Sequence, residues 1–112
     1  MKGRFRYTKK ERIHRPQEFR MVMKRGRRIQ SKNLIFFLQE NGLGFHRLGM
    51  VVKKEIGPAT YRNRIKRYFR EFFRLHKSQW RGSFDVVILA KKGYTFRRYK
   101  EAEEELKGFL LS

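Results

Sequence analysis

Residues 61–74 read Tyr61-Arg62-Asn63-Arg64-Ile65-Lys66-Arg67-Tyr68-Phe69-Arg70-Glu71-Phe72-Phe73-Arg74. On a wheel at about 100° per residue, Tyr61, Ile65, Tyr68, Phe69, Phe72, Phe73 and the following Leu75 share one half. Arg62, Asn63, Lys66, Arg67, Arg70 and Arg74 share the other. This is the pattern of an amphipathic helix whose apolar stripe faces a core. The opposite half is then a rigid row of cations, repeating about every 6 Å along the axis. Guanidinium forks donate two parallel hydrogen bonds and suit phosphate better than ammonium groups do. Asn63 adds a donor and an acceptor able to reach a base edge or a 2′-hydroxyl. Charge on a surface helix usually means only a solvated face, but here Glu71 alone interrupts the basic row. One face of the helix is therefore expected to pack and the other to contact nucleic acid.

The helix is expected over Ala59–His76, after the break at Gly57-Pro58. Downstream, Phe84-Asp85-Val86-Val87-Ile88-Leu89-Ala90 reads as a strand, with Gly82 before it and Gly93 after it. Over residues 98–111, Tyr99, Ala102, Leu106, Phe109 and Leu110 recur at helical spacing. Glu101, Glu103, Glu104 and Glu105 mark the opposite face of that helix. Upstream, Pro16 suits the first turn of a helix that puts Phe19, Val22 and Met23 on one face and stops at Gly26. Leu34-Ile35-Phe36-Phe37-Leu38 and residues 48–52 read as two strands. The turn signal Asn41-Gly42, supported by Gly44, predicts that these two form an antiparallel hairpin. The order of helix, strands, helix, strand, helix belongs to an α+β sandwich of helices and a small sheet.

The 112 residues suit one domain, with no repeat and no low-complexity linker. Thirty Lys and Arg against ten Asp and Glu leave a formal net charge of +20. Self-repulsion at that density disfavours a compact state unless a polyanion neutralises it. The cations are spread along the chain rather than gathered on one terminal helix, which favours nucleic acid over a membrane surface. The absence of cysteine excludes disulfides and thiolate metal sites. No apolar run approaches the roughly 20 residues of a membrane span. The first fifteen residues lack the apolar stretch of a signal peptide, and a cytoplasmic protein is expected. Those residues, with Phe5, Tyr7 and Ile13 as apolar anchors, are expected to form a flexible basic arm, ordered by RNA or by packing.

Lys53-Lys54, Gly57, Ala59, Arg62-Asn63-Arg64-Ile65-Lys66-Arg67, Arg70-Glu71 and Phe73-Arg74 resemble, as an ensemble, the signature region of the bacterial ribonuclease P protein family. Glu18-Phe19, Gly26, Phe36-Phe37, Arg47-Leu48-Gly49 and Phe84-Asp85-Val86-Val87 look like further family positions in family order, so the resemblance covers nearly the whole chain. It implies a single-domain αβββαβα sandwich with a left-handed βαβ crossover, like the second domain of a small-subunit ribosomal protein and against the general right-handed rule. It also implies the protein subunit of an endoribonuclease that removes the 5′ leader from precursor tRNA. Arg62, Asn63, Arg64, Lys66, Arg67, Arg70 and Arg74 would then face the catalytic RNA. Phe19, Met23 and Phe37, with Lys53 nearby, would line a cleft for the single-stranded leader. Stacking on aromatic faces beside cations holds single strands with little sequence preference. Without the resemblance, Phe19 and Phe37 read equally well as plain core. The implied partners are ribonuclease P RNA and precursor tRNA, with no membrane and no obligate protein partner. The Mg2+ the holoenzyme requires would be bound mainly by RNA. Two positions depart from the family pattern: Met23 replaces a usual aromatic, and Pro58 replaces a commoner polar residue.

No catalytic or metal-ligating residue is assigned. A metal-dependent nuclease needs convergent carboxylates, yet the chain's single Asp is Asp85. Glu101 and Glu105 stand one helical turn apart and could share an ion, but such a pair is more often a solvated helix face. His14, His46 and His76 lack ligand spacing, and neither a phosphate loop nor a nucleophile elbow occurs. A ribosomal or other structural RNA-binding protein fits the charge and size equally, and only the signature ensemble and the aromatic cleft separate the two. Scarcity of acids counts against a stand-alone nuclease, and the lack of a helix-turn-helix pairing counts against a DNA-binding protein.

Overall fold

In the computed structural model, which describes residues 7–94 and 96–110, the chain forms α1 (Pro16–Arg25), β1 (Arg27–Gln30), β2 (Leu34–Glu40), β3 (Arg47–Val51), α2 (Ala59–His76), β4 (Phe84–Ala90) and α3 (Tyr99–Leu110). This is the αβββαβα order implied by the resemblance, and α2 and β4 have the bounds read from the sequence. Gly57 leads into α2 with φ +158°, and a Cβ there would lie 2.9 Å from the Tyr61 ring. Only a glycine lets that ring fold back over the start of the helix.

The sheet order is β1-β2-β4-β3. β2 pairs antiparallel with β4 from Leu34 opposite Ala90 to Glu40 opposite Phe84. β3 runs parallel to β4, with α2 in the connection between them.

The expected hairpin between residues 34–38 and 48–52 does not form, because β4 lies between β2 and β3. The turn signal is nevertheless used. Asn41 Nδ2 donates to the carbonyl of Phe45 and to Asp85 Oδ1, and the Leu43 N–H donates to Asn41 Oδ1. What overrides the hairpin is burial. β4 is buried along most of its length, and a strand apolar on both faces belongs in the middle of a sheet. Turn chemistry is local, whereas the choice of neighbour follows the apolar surface to be covered. The hairpin that does form joins β1 to β2. Arg27 and Arg28 are exposed on the edge strand β1, and charge of that kind blunts a sheet edge against further pairing.

α2 and α3 cover one face of the sheet. Leu34, Phe36, Leu48, Val86 and Ile88 meet Ile65, Phe69, Phe72, Phe73 and Leu106 there. Phe36 stacks on Phe109 with ring centroids 4.5 Å apart. On the other face α1 brings Val22 against Phe37 and Val87.

Of the acids of α3, Glu104 is exposed, whereas Glu101, Glu103 and Glu105 have partners. Glu101 Oε1 accepts the N–H groups of Arg97 and Arg98 at the helix start. Glu103 accepts from His76 Nε2 on α2 and from the Tyr99 hydroxyl. The His76 bond, opposed by burial and helped by Tyr99, holds the Glu103 carboxyl below its ordinary range. Glu105 takes the Ser31 hydroxyl and both the N–H and Nδ2 of Asn33, tying α3 to the β1–β2 turn. Glu101 and Glu105 are therefore committed to different partners.

Candidate nucleic-acid interface

Ile65, Phe69, Phe72 and Phe73 are each at most 1% exposed, and that sets the rotation of α2 about its axis. Asn63, Arg64 and Arg67 are left exposed, and Arg62, Lys66, Arg70 and Arg74 half-buried. Arg62 Nε donates to the Gly57 carbonyl at 3.0 Å, and the Arg64 guanidinium lies 6.0 Å from the Tyr61 ring centroid. Arg74 Nε donates to Glu71 at 2.7 Å, so the one acid within the row is taken up inside it. Among the described residues no carboxylate pairs with Arg62, Arg64, Lys66, Arg67 or Arg70.

The four residues assigned to the cleft are placed unequally. Phe19 and Met23 from α1 and Phe37 from β2 join one cluster with Ile13, Val22 and Val87. Phe37 is only 6% exposed and forms the floor, while Phe19 and Met23 are partly open. Lys53 is exposed, two residues beyond β3 and outside that cluster. A single ten-residue helix leaves this face half-covered, and Ile35, Val51 and Leu89 line the uncovered part, each partly exposed. Sequence reasoning missed these three. Alternation held the signal, because Ile35 with Phe37, and Leu89 with Val87, are two apart on neighbouring strands. Gly49 of β3 seats the Phe19 ring, since a Cβ there would lie 2.6 Å from it.

Residues 1–6 of the expected basic arm, Phe5 included, lie outside the described residues. From Tyr7 onward the segment is packed. The Tyr7 hydroxyl donates to the Leu48 carbonyl at 2.9 Å, and its ring meets Phe73 edge-on. Burial pushes the Tyr7 phenol up to about 12, against the pull of Arg12 and Arg70. The Ile13 N–H donates to the same Leu48 carbonyl, adding one parallel rung to the outer edge of β3. Glu11, 6% exposed, accepts from the Thr8 N–H, the Thr8 hydroxyl and Lys77 Nζ. Burial opposes its ionisation, but Lys77 and Thr8 together outweigh burial and hold the carboxyl below its ordinary range.

This packed segment joins the two surfaces. A groove of about 160 Å3, lined by His14, Phe19, Gly49, Met50, Lys66 and Arg70, runs from the cleft past the β3 edge to the basic face of α2. A larger bay opens between residues 7–12 and the C-terminal half of α2. Composition could not reveal either, because Tyr7 and Leu48 meet across 41 positions of sequence.

Other titratable groups have structural partners. Arg47 grips Asp85 through Nε at 2.8 Å and Nη2 at 2.6 Å and reaches Glu18 on α1, and these bonds, Asp85 foremost, raise its pKa further. His46 Nδ1 accepts the Phe84 N–H, which leaves Nε2–H to donate to the Trp80 carbonyl. Among the described residues no three His, Asp or Glu side chains are grouped to hold a metal ion, and no helix is long and apolar enough to cross a membrane.

Comparison with known proteins gives a consistent family. The family described as Ribonuclease P matches residues 7–112. The ribonuclease P protein component of Syntrophus aciditrophicus is 43% identical over 104 residues, covering 93% of this chain and 87% of that protein. The solved RNase P protein of Thermotoga maritima superposes with a TM-score of 0.80 at 32% identity, covering 89% of this chain and 94% of its own. The RNase P protein of Staphylococcus aureus gives a TM-score of 0.82 at 28% identity, covering 89% and 92%.

Proposed function

The chain belongs to the ribonuclease P protein family, and on that premise we propose how its surfaces divide the work of tRNA maturation. Membership makes it the RNA-binding protein subunit of the endoribonuclease that processes tRNA 5′ ends, partnered with the ribonuclease P RNA. The proposal is that α2 grips that RNA while the cleft under α1 holds the 5′ leader of precursor tRNA. One observation carries it: a cation row in which Arg62, Arg64, Lys66, Arg67 and Arg70 have no carboxylate partner among the described residues is joined by a groove to a half-open apolar cleft. The row supplies phosphate contacts through Arg62, Arg64, Lys66, Arg67, Arg70 and Arg74, with Asn63 available to a base edge or a 2′-hydroxyl. The cleft supplies apolar and aromatic surface for unstacked bases, and the exposed Lys53, two residues beyond β3, is the cation for the backbone in this reading.

Only precursor tRNA carries a leader. Contacts in the cleft therefore raise affinity for substrate over product and are lost on cleavage. The protein's contribution is positional and electrostatic, and phosphodiester cleavage belongs to the RNA. Mg2+ stays with the RNA in this reading: Asp85, Glu11, Glu103 and Glu105 are tied to Arg47, Lys77, His76 and the β1–β2 turn, and no three His, Asp or Glu side chains are grouped as ligands among the described residues. Affinity for RNA should fall steeply with salt, and each lost phosphate contact should lower the slope by about one.

The test is cleavage of a 5′-extended precursor tRNA by a bacterial ribonuclease P RNA at low Mg2+, with and without the protein. The expected result is cleavage at the mature 5′ end only when RNA and protein are both present. Charge reversal at Arg62, Arg64 and Arg67 should abolish the rescue. Tight RNA binding without stimulation would instead indicate a structural RNA-binding role. Cleavage by the protein alone would put the chemistry in this chain.

A further inference from the structure

The bay between residues 7–12 and the C-terminal half of α2 has a volume of about 570 Å3, within the roughly 300–1,000 Å3 of pockets that take small ligands. Its two walls differ in chemistry. On the α2 wall, Arg67, Arg70 and Arg74 stand at i, i+3 and i+7, one face of the helix. Glu71 orients Arg74. On the other wall the Arg12 guanidinium lies 5.1 Å from the Tyr7 ring centroid. Arg12, Arg67 and Arg70 have no carboxylate partner among the described residues. Forked donors on one side suit a phosphate. A flat guanidinium backed by an aromatic ring on the other suits the face of an unstacked base.

We propose that this bay binds one unstacked nucleotide of the RNA, its phosphate on Arg67, Arg70 and Arg74 and its base on the Arg12–Tyr7 layer. The proposal rests on the RNA-binding reading above and deepens it. It also gives Glu11 a role as a positioning residue. Glu11 neighbours Arg12 in sequence, is buried, and is bound to Thr8 and to Lys77 just beyond α2. Lys77 in turn lies 5.8 Å from the ring centroid of Phe73, on which Tyr7 packs. The Glu11–Lys77 latch thus holds the Arg12–Tyr7 wall against α2. Its consequence has an unusual sign. Neutralising an acid on so basic a protein should tighten RNA binding by long-range attraction, but neutralising Glu11 should weaken it, because one wall of the bay loses its anchor.

The experiment measures affinity of the full chain for a ribonuclease P RNA transcript across a salt series, together with nucleotide-resolved chemical probing of the RNA 2′-hydroxyls. Arg12→Lys keeps the charge and removes the plane, and should weaken binding about tenfold, as loss of one stacked base does, with an unchanged salt slope. Arg67→Ala should lower the slope by about one. Glu11→Gln should weaken binding several-fold, whereas Glu40→Gln, at an exposed acid, should not weaken it. One nucleotide protected by the unaltered chain should become reactive with Arg12→Ala while the rest of the footprint persists. Arg12 is exposed, so its variants decide the matter even if Glu11→Gln lowers the melting temperature. Affinity of Arg12→Lys equal to the unaltered chain would reduce the bay to a phosphate contact and overturn the nucleotide pocket. Tighter binding by Glu11→Gln would overturn the latch. If the unaltered chain fails to bind the RNA, the functional reading falls and takes the bay with it. If it binds and every bay variant matches it, the bay alone falls.

Discussion

The two faces of the sheet are made by the same strands, yet one is a finished core and the other a half-open cleft. Among the described residues, sixteen buried side chains form one continuous cluster under α2 and α3, with ten partly buried apolar neighbours, whereas under α1 four do, with five such neighbours. Two helices of eighteen and twelve residues cover the first face, and one of ten covers the second. The closed face therefore carries most of the apolar stabilisation, and the open face is left with apolar surface to offer a ligand. The continuous apolar core and the uncovered apolar surface are thus separated to opposite sides of a single layer of strands.

Substitutions that break this separation should rank by face. Phe69→Ala, in the closed core, should cost about 3–5 kcal/mol of stability, read from the urea midpoint. A loss below about 1 kcal/mol would mean that α2 is not anchored as described. Phe19→Ala, on the open face, should be the milder change for folding but should remove about 1–3 kcal/mol of affinity for precursor tRNA. Affinity for mature tRNA should hold, and equal losses for both would move the leader elsewhere. Gly49→Ala sharpens the comparison, because the new Cβ strikes the Phe19 ring and comes within 3.2 Å of Ile13, both on the open face, rather than the core under α2 and α3. It should destabilise by about 1–2 kcal/mol and weaken precursor binding while leaving affinity for the RNA subunit unchanged.

The smallest effect is a pH dependence at the junctions around the closed face. Glu11 and Glu103 are both held below the ordinary glutamate range, the first by Lys77 and Thr8 against burial, the second chiefly by His76. A depressed folded-state pKa contributes stability that is fully present above the unfolded value and lost as pH falls through the folded one. The melting temperature should therefore be flat near neutrality in these two terms and decline below about pH 4. In Lys77→Met the acid decline should be shallower, and an unchanged profile would remove the Glu11–Lys77 latch from the account.

Periodicity made α2 legible from its sequence, because a 3.6-residue repeat of Ile65, Phe69, Phe72 and Phe73 sorts its two faces without knowledge of what they touch. The same local logic marked the strand of residues 84–90, the stop at Gly26 and the basic character of the surface. Net charge and the scarcity of acids pointed to a polyanion as partner. What local pattern could not decide was adjacency. β4 parts β2 from β3 because burial on both its faces outweighs a good turn at Asn41-Gly42, and that contest is settled only when every strand competes for the centre of the sheet. Glu103 and Glu105 of α3 read as solvated until Ser31, Asn33 and His76 arrive from distant segments. Ile35, Val51 and Leu89 remain partly exposed apolar surface because α1 is too short to cover them. Tyr7 and Arg12 likewise become a wall of the bay beside α2 only through Leu48, Phe73 and the Glu11–Lys77 pair. Side-chain pattern along the chain determined which surfaces are apolar and which are cationic. Tertiary packing alone decided which of them remain uncovered and which stand side by side, since coverage depends on contacts between residues far apart in sequence.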